Sequence, residues 1–132
     1  MKLENKSVTQ LKTQAWKLCS EYVRKRDADW RGNVTCITCM YKSHWKDMDA
    51  GHFIPSRVNG ILFDTRGIYA QCKQCNMNGG NPVPYYKIML RLHGQDVIDE
   101  LQKQKDTPKR FTKEELIEII EDFKEKLCGQ SQ

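Results

Sequence analysis

Two cysteine pairs stand out for their spacing: Cys36-Ile37-Thr38-Cys39 and Cys72-Lys73-Gln74-Cys75. In a C-x2-C knuckle the intervening turn brings both sulfurs to one side, where two thiolates share one tetrahedral ion. Two such knuckles complete a four-sulfur structural zinc site. The alternatives are four unrelated reduced cysteines or a thioredoxin-like redox pair. The second needs a βαβ setting that neither knuckle has. A four-thiolate zinc is closed to substrate, so any catalysis must come from other residues. Two stretches are candidates. The insert between the knuckles contains Asp49-Ala50-Gly51-His52-Phe53-Ile54-Pro55, and Asn76 follows Cys75 directly, ahead of Met77, Asn78, Gly79, Gly80 and Asn81. The other two cysteines, Cys19 and Cys128, fall on helix faces and read as small buried hydrophobes.

The elements that must position these groups are mostly helices. Residues 7–26 form an amphipathic pattern, with Val8, Leu11, Ala15, Leu18 and Tyr22 at three- and four-residue spacing and Trp16, Cys19 and Val23 widening the stripe. Ser7 and Gln10 fit a capping box at its start. Arg24, Lys25 and Arg26 close it, as cations that complement the helix dipole or contact DNA. Residues 30–82 lose this regularity. A strand is expected around Met48 to Ile54 and a short extended segment at Ile61 to Phe63. Pro84 suits the first turn of a helix that runs through Tyr85, Ile88, Met89 and Leu92 to a stop at Gly94. Another helix is expected from about Gln95 to Gln104, followed by a charged connector, Lys103 to Arg110. The last helix starts near Thr112 with a Thr112/Glu115 capping box and a Leu116, Ile119, Ile120, Phe123, Leu127 stripe. Gly129 is its expected stop, with Gln130 to Gln132 frayed.

Composition sets the outer limits. The 132 residues favour one domain, and 39% hydrophobic residues against 30% charged leave a modest core that a metal cross-link would reinforce. An excess of 22 basic over 17 acidic residues, a formal charge of +5, suits a polyanion such as nucleic acid. No apolar run approaches the roughly 20 residues that cross a bilayer, and the first ten residues carry no apolar signal segment. The expectation is a cytoplasmic protein with reduced thiols.

A His at the end of a strand, a loop, and a C-x2-C knuckle followed by Asn resemble the His-Me finger (HNH-type) nucleases. The segments "MDAGHF", "QCKQCN" and "GGNPVPYYKIMLRLHG" resemble the phage lambda NinG/Rap recombinase family over about residues 10–127. Phage endonuclease VII, a junction resolvase, is similar in its cysteine frame and in the Asn after the last cysteine. The resemblance implies an α+β fold in one domain, 1–132: a zinc-stapled ββα-metal core over 30–82, the N-terminal helix 7–26, and C-terminal helices over 83–128. The resemblance would leave this protein without the family's basic, cysteine-bearing N-terminal extension. The implied function is metal-dependent phosphodiester hydrolysis by a structure-specific endonuclease acting on branched recombination intermediates, Holliday junctions and displacement loops. Residue by residue, His52 would be the general base, Asn76 a ligand of a catalytic Mg²⁺ or Mn²⁺, and Asp49 a second ligand. The Asn that orients the base in many HNH proteins is missing. Gly67 occupies that position, with Asp64 and Arg66 nearby. The implied setting is a phage or prophage protein in a bacterial host, with branched DNA, phage recombination proteins and a second copy of the chain as partners.

These residue types suit that chemistry. A neutral imidazole takes a proton from water near pH 7, and Asp and Asn oxygens suit Mg²⁺, which keeps several waters. A helix beginning near Asn76 favours a phosphate at its positive end. Arg66 and Lys73, with Arg24, Lys25 and Arg26, are candidate DNA contacts, each otherwise an ordinary surface charge. Trp30 and Trp45 are expected to pack over the zinc site, His44 to be solvated, His93 to act as a helix C-terminal cation, and Asn78 and Asn81 to shape the turn. The competing reading is a non-catalytic zinc module that binds DNA or protein. It accounts for the cysteines but gives Asp49, His52 and Asn76 no purpose.

Overall fold

The first helix, α1 (Val8–Arg26), starts on the expected reciprocal cap: Gln10 N–H donates to Ser7 Oγ at 3.1 Å and Ser7 N–H to Gln10 Oε1 at 2.9 Å. Two donors that the first turn cannot satisfy internally are thereby paired. The same device opens the last helix, α6 (Lys113–Gln130), where Thr112 and Glu115 exchange bonds of 3.1 and 3.0 Å. Leu11, Ala15, Cys19 and Val23 form the buried stripe of α1. They meet Leu116, Ile120 and Phe123 of α6 in two clusters. Val8 stays exposed, so the buried stripe is rotated toward Cys19 and Val23. Burying a side chain of this size is worth about 1.5–3 kcal/mol, and this helix pair is the scaffold's firmest part. The computed structural model describes residues 1–130.

Against this pair lies a two-stranded antiparallel sheet, β3 (Met48–His52) with β4 (Ile68–Cys72), in register from Met48↔Cys72 to His52↔Ile68. A smaller hairpin, β1 (Asn33–Thr35) with β2 (Lys42–His44), precedes it and carries the first cysteine knuckle in its turn. Ala50 and Ile68 face α1 and α6. On the other face, Tyr69 packs against α4 (Pro82–His93) and α5 (Gln95–Asp106), whose Tyr85, Met89, Ile98 and Leu101 form a separate cluster. The result is a layered α+β arrangement, with the sheet between two helix pairs. The short helix α3 (Lys73–Met77) follows β4 without a break, while short turns at Asn59–Leu62 and Thr65–Gly67 lie between β3 and β4.

Three expectations are corrected. Ile61 to Phe63 is not extended: Asn59–Leu62 is a single helical turn (α2), with Ile61 and Leu62 buried. Short apolar runs carry no decisive period, and here close packing decides. A Cβ on Gly60 would fall 2.0 Å from the Gln104 carbonyl oxygen of α5. The partner of β3 is β4 instead, a strand buried along almost its whole length and so without alternation. Gly129 does not stop α6, which continues to Gln130, whose Nε2 donates to the Tyr22 carbonyl at 3.0 Å. Of the stretch Gln130 to Gln132 expected to fray, Gln130 is thus helical and tied down, and Ser131 and Gln132 lie outside the described residues. Cys19 is fully buried and burial pushes its thiol up to about 12, whereas Cys128 is exposed.

Candidate active site

The four knuckle sulfurs lie within 4.8 Å of one another, and Cys39 Sγ is 3.7 Å from Cys72 Sγ. Metal–sulfur bonds of about 2.3 Å in a regular tetrahedron give edges of about 3.8 Å, so the cluster could hold a zinc ion. Local backbone makes each half. Cys72 caps α3, its Sγ accepting the Cys75 N–H at 3.4 Å, and the Cys36 carbonyl accepts the Met40 N–H at 3.1 Å. Thr38 Oγ1 lies 3.4 Å from Cys36 Sγ, and Asn81 Nδ2 donates to Cys75 Sγ at 3.8 Å. Such donors orient thiolate ligands and temper their charge. Asn81 therefore shapes the turn, in a left-handed conformation (φ 52°), and also touches the cluster.

Beside the cluster opens a cleft of about 630 Å³ whose lining includes Asp49, His52, Lys73 and Asn76. Asp49 and His52 are three residues apart on β3 and so belong to opposite faces of the strand. They meet in one cleft because β3 is an edge strand, with β4 on one side only among the described residues. The cleft runs along its free edge and receives side chains from both faces. On the α1 face, His52 stacks on Trp16 with ring centroids 5.1 Å apart and planes 19° from parallel. Its Nε2 lies 3.2 Å from the Leu62 carbonyl oxygen. A carbonyl can only accept, so Nε2 carries the proton and Nδ1 keeps a free lone pair. Burial, with the Arg57 charge, holds the imidazole below its ordinary pKa against the opposing pull of the Leu62 hydrogen bond. The ring is therefore neutral, and a ready base, at pH 7.

The Leu62 carbonyl is a partner of His52 that the sequence did not disclose. Gly67 instead accepts the Phe53 N–H at 2.8 Å, and a Cβ there would press on Leu101. On the other side of β3, Asp49 Oδ2 accepts from Asn76 Nδ2 at 3.0 Å, and Asp49 Oδ1 pairs with Lys73 Nζ at 3.0 Å. A carboxylate, an amide and a cation thus share one point beside α3; the helix starts at Lys73, three residues earlier than Asn76, so Asn76 does not open it as the sequence suggested.

The strand is fixed from behind. Tyr85, fully buried, donates to the Gly51 carbonyl at 2.6 Å. Gln71, opposite Asp49 in the sheet and fully buried, donates to Thr38 Oγ1 at 3.1 Å and to the Gly80 carbonyl at 2.8 Å. It ties the first knuckle to the loop after α3. Its Oε1 lies where a Cβ on Gly51 would be, 2.1 Å away, so only glycine fits between Asp49 and His52 at that position.

The candidate DNA contacts separate. Lys73 and Arg24 line the cleft, Arg24 held by Ser20 and by the Trp45 carbonyl at 3.3 Å. Lys25 lies over the Trp45 ring at 4.7 Å. Arg26 is engaged internally, donating to the carbonyls of Thr65 and Ile68 at 3.0 and 2.7 Å. Arg66 stands away from the cleft, bridging Asp64 at 2.8 Å and Glu100 at 2.7 Å. Burial works to raise the Asp64 pKa, but hydrogen bonds from Arg66 and Gln104 hold it below the usual range. Two cations of the cleft were not singled out in the sequence, Lys46 and Arg57, the latter 4.6 Å over the Trp16 ring. No spacing rule marks them, because each sits on a loop or short turn.

The remaining expectations divide as well. Trp45 packs against the cluster of Val34, Cys36 and Met48, but Trp30 is 86% exposed. His44 is not simply solvated, since its Nδ1 accepts the Lys46 N–H at 3.2 Å and caps a short turn. His93 ends α4 and bonds Tyr69 OH through Nε2 at 2.7 Å. Asn78 ends α3.

Comparison with known proteins gives a consistent result. The family model described as Bacteriophage Lambda NinG protein matches residues 1–131. The protein ninG of Escherichia phage 933W is 32% identical over 118 residues, covering 86% of this chain and 55% of its own length. That of Escherichia phage lambda is 31% identical over 118 residues, covering 86% and 54%. Protein ninG of Salmonella phage P22 matches to the same extent, at 31% identity. The chain thus spans about half the length of the curated relatives it matches. No solved structure matches.

Proposed function

The chain belongs to the lambda NinG family of bacteriophage proteins, and from that footing we propose that it is a metal-dependent DNA endonuclease that cuts branched recombination intermediates. One observation carries this reading. His52, whose Nε2 is held by the Leu62 carbonyl, and the hydrogen-bonded Asp49 carboxylate and Asn76 amide line one basic cleft beside a four-sulfur cluster. Short turns aside, the strand–strand–helix order of β3, β4 and α3 is also that of the His-Me finger nucleases.

Asp49 and Asn76 fit a divalent metal. They offer oxygen donors to a hard cation that retains most of its waters, and the ammonium of Lys73 already sits on the carboxylate at 3.0 Å. Bound there, Mg²⁺ or Mn²⁺ would supply Lewis-acid stabilisation of charge on the scissile phosphate. The chain's own residues do the rest. The Leu62 carbonyl and the Trp16 face hold the imidazole with Nδ1 free, so a water at that atom would lose its proton to His52 as its oxygen attacks phosphorus, while the P–O bond to the leaving sugar oxygen breaks and that oxygen takes a proton from solvent. Arg24, Lys46, Arg57 and Lys73 gather positive charge around the phosphate. The four-sulfur site, filled with zinc, anchors α3 and with it Asn76. The host cytoplasm is the setting that follows, with phage recombination proteins as companions. Paired cuts across a four-way junction call for a symmetric dimer.

The test is cleavage of labelled four-way junctions, displacement loops and linear duplexes in Mg²⁺ or Mn²⁺, by wild type and His52→Ala. Junction cutting that disappears in the variant while binding persists supports the reading. Normal cutting by His52→Ala removes His52 from the chemistry. Binding without cutting in any divalent metal favours a non-catalytic zinc module.

A further inference from the structure

A second groove continues from the cleft. It is lined by Val8, Thr9, Lys12 and Thr13 of α1 and by Asn59, Leu62, Arg110 and Phe111, and encloses about 580 Å³. Trp16 and Arg57 line both this groove and the cleft that holds His52. The two therefore adjoin, with the Trp16 ring and the overlying Arg57 guanidinium between them.

The charge of this extension is one-sided. Lys12, Arg57 and Arg110 line it, and no acidic side chain does. Among the described residues none of these three cations is in an ion pair. Lys109, on the connector just before Arg110, is by contrast paired with Glu115 at 2.6 Å. Two threonine hydroxyls, Thr9 and Thr13, add short hydrogen-bonding groups along the same wall. Cations without ion-pair partners, hydroxyls and no carboxylate are the lining that a sugar–phosphate backbone selects.

We propose that this groove, between the first half of α1 and the connector at Arg110–Phe111, carries the backbone of the cut strand onward from the scissile phosphate. The proposal rests on the nuclease reading, whose cleft supplies the phosphate from which the strand continues. Lys12 and Arg110 are binding residues, remote from the reacting atoms. Arg57 belongs to both segments and marks the point where the strand passes Trp16.

The experiment compares Lys12→Ala/Arg110→Ala with a control double variant, Lys87→Ala/Lys103→Ala, which removes the same charge from α4 and α5 away from both grooves. DNA affinity is measured on the zinc-loaded full chain with one fixed oligonucleotide junction over a salt series. Each neutralised phosphate contact contributes roughly 0.7–0.9 to the slope of log affinity against log salt. The groove variant is expected to flatten that slope by about 1.4–1.8 while the control leaves it in place. Hydrolysis of bis(p-nitrophenyl) phosphate, which has no continuing strand, is expected at the wild-type rate in the control. A wild-type salt slope in the groove variant, or an equal loss in the two variants, overturns the groove as a strand path. Absence of cutting by wild type would overturn the nuclease reading instead, because the salt slopes report the groove whether or not the bond is broken.

Discussion

Cys75 and Asn76 are neighbours in the chain, yet they belong to regions built on different principles. The cysteine cluster is closed on itself. Its four sulfurs converge within 4.8 Å and are held by turns that each knuckle makes locally. The cleft beside it is open, and its groups arrive from β3, from α3, from the loop bearing Arg57 and from α1. Placing a cleft on the exposed edge of β3 leaves its side chains short of support. The cluster compensates by fixing the start of α3, and Gln71 by joining Thr38 to the Gly80 carbonyl. The lesson is a division of labour: loss of the cluster should damage folding and activity together, and loss of a cleft group should damage activity nearly alone.

The largest expected effect tests the first half of that statement. Cys75→Ser, or removal of zinc by a chelator, should cost about 5 kcal/mol or more of stability, given the apparent 10–16 kcal/mol of structural zinc binding in small peptides. Thermal melting measures it. Cutting should not return when Mg²⁺ alone is restored, and a chelated protein with an unchanged melting temperature would break the comparison. His52→Ala tests the second half. Cleavage should fall by about 10²–10⁴, the usual contribution of a positioned base, with a comparatively small change in melting from the lost Trp16 stack.

Gly51→Ala lies between the two regions. A Cβ 2.1 Å from Gln71 Oε1 must displace a fully buried side chain that also holds the first knuckle. Overpacking of this kind costs about 1–3 kcal/mol. Denaturant unfolding should show that loss, and a neutral result would mean that Gln71 can move freely. The pH profile sharpens the picture of the cleft alone. A general base must be deprotonated, so the rate should fall as pH drops through the His52 pKa. Burial and Arg57 place that midpoint below the usual imidazole value of about 6.5. A limb centred above it would contradict the buried setting. The smallest effect is Trp30→Ala, at an 86% exposed position, which should stay within about 0.5 kcal/mol, whereas Trp45→Ala, packed against the cluster, should cost clearly more by the same melting assay.

The sequence itself determined the features that local chemistry encodes. Two C-x2-C knuckles specify converging sulfurs, since the turn that pairs each couple spans only four residues. Ser7 with Gln10, and Thr112 with Glu115, specify helix starts because each cap closes within one turn. Asp49, His52 and Asn76 could be singled out through the knuckle and the family resemblance. Tertiary structure alone decided what these residues meet. The Leu62 carbonyl has no side-chain signature, and a backbone oxygen becomes a partner of His52 only when α2 folds against β3. The strand β4 was hidden because burial on both faces removes alternation. Whether a lysine or arginine faces the cleft or, like Arg26, turns inward to backbone carbonyls depends on partners up to 42 residues away. No local pattern records such partners, which is why the residue types were legible one by one and their assembly was not.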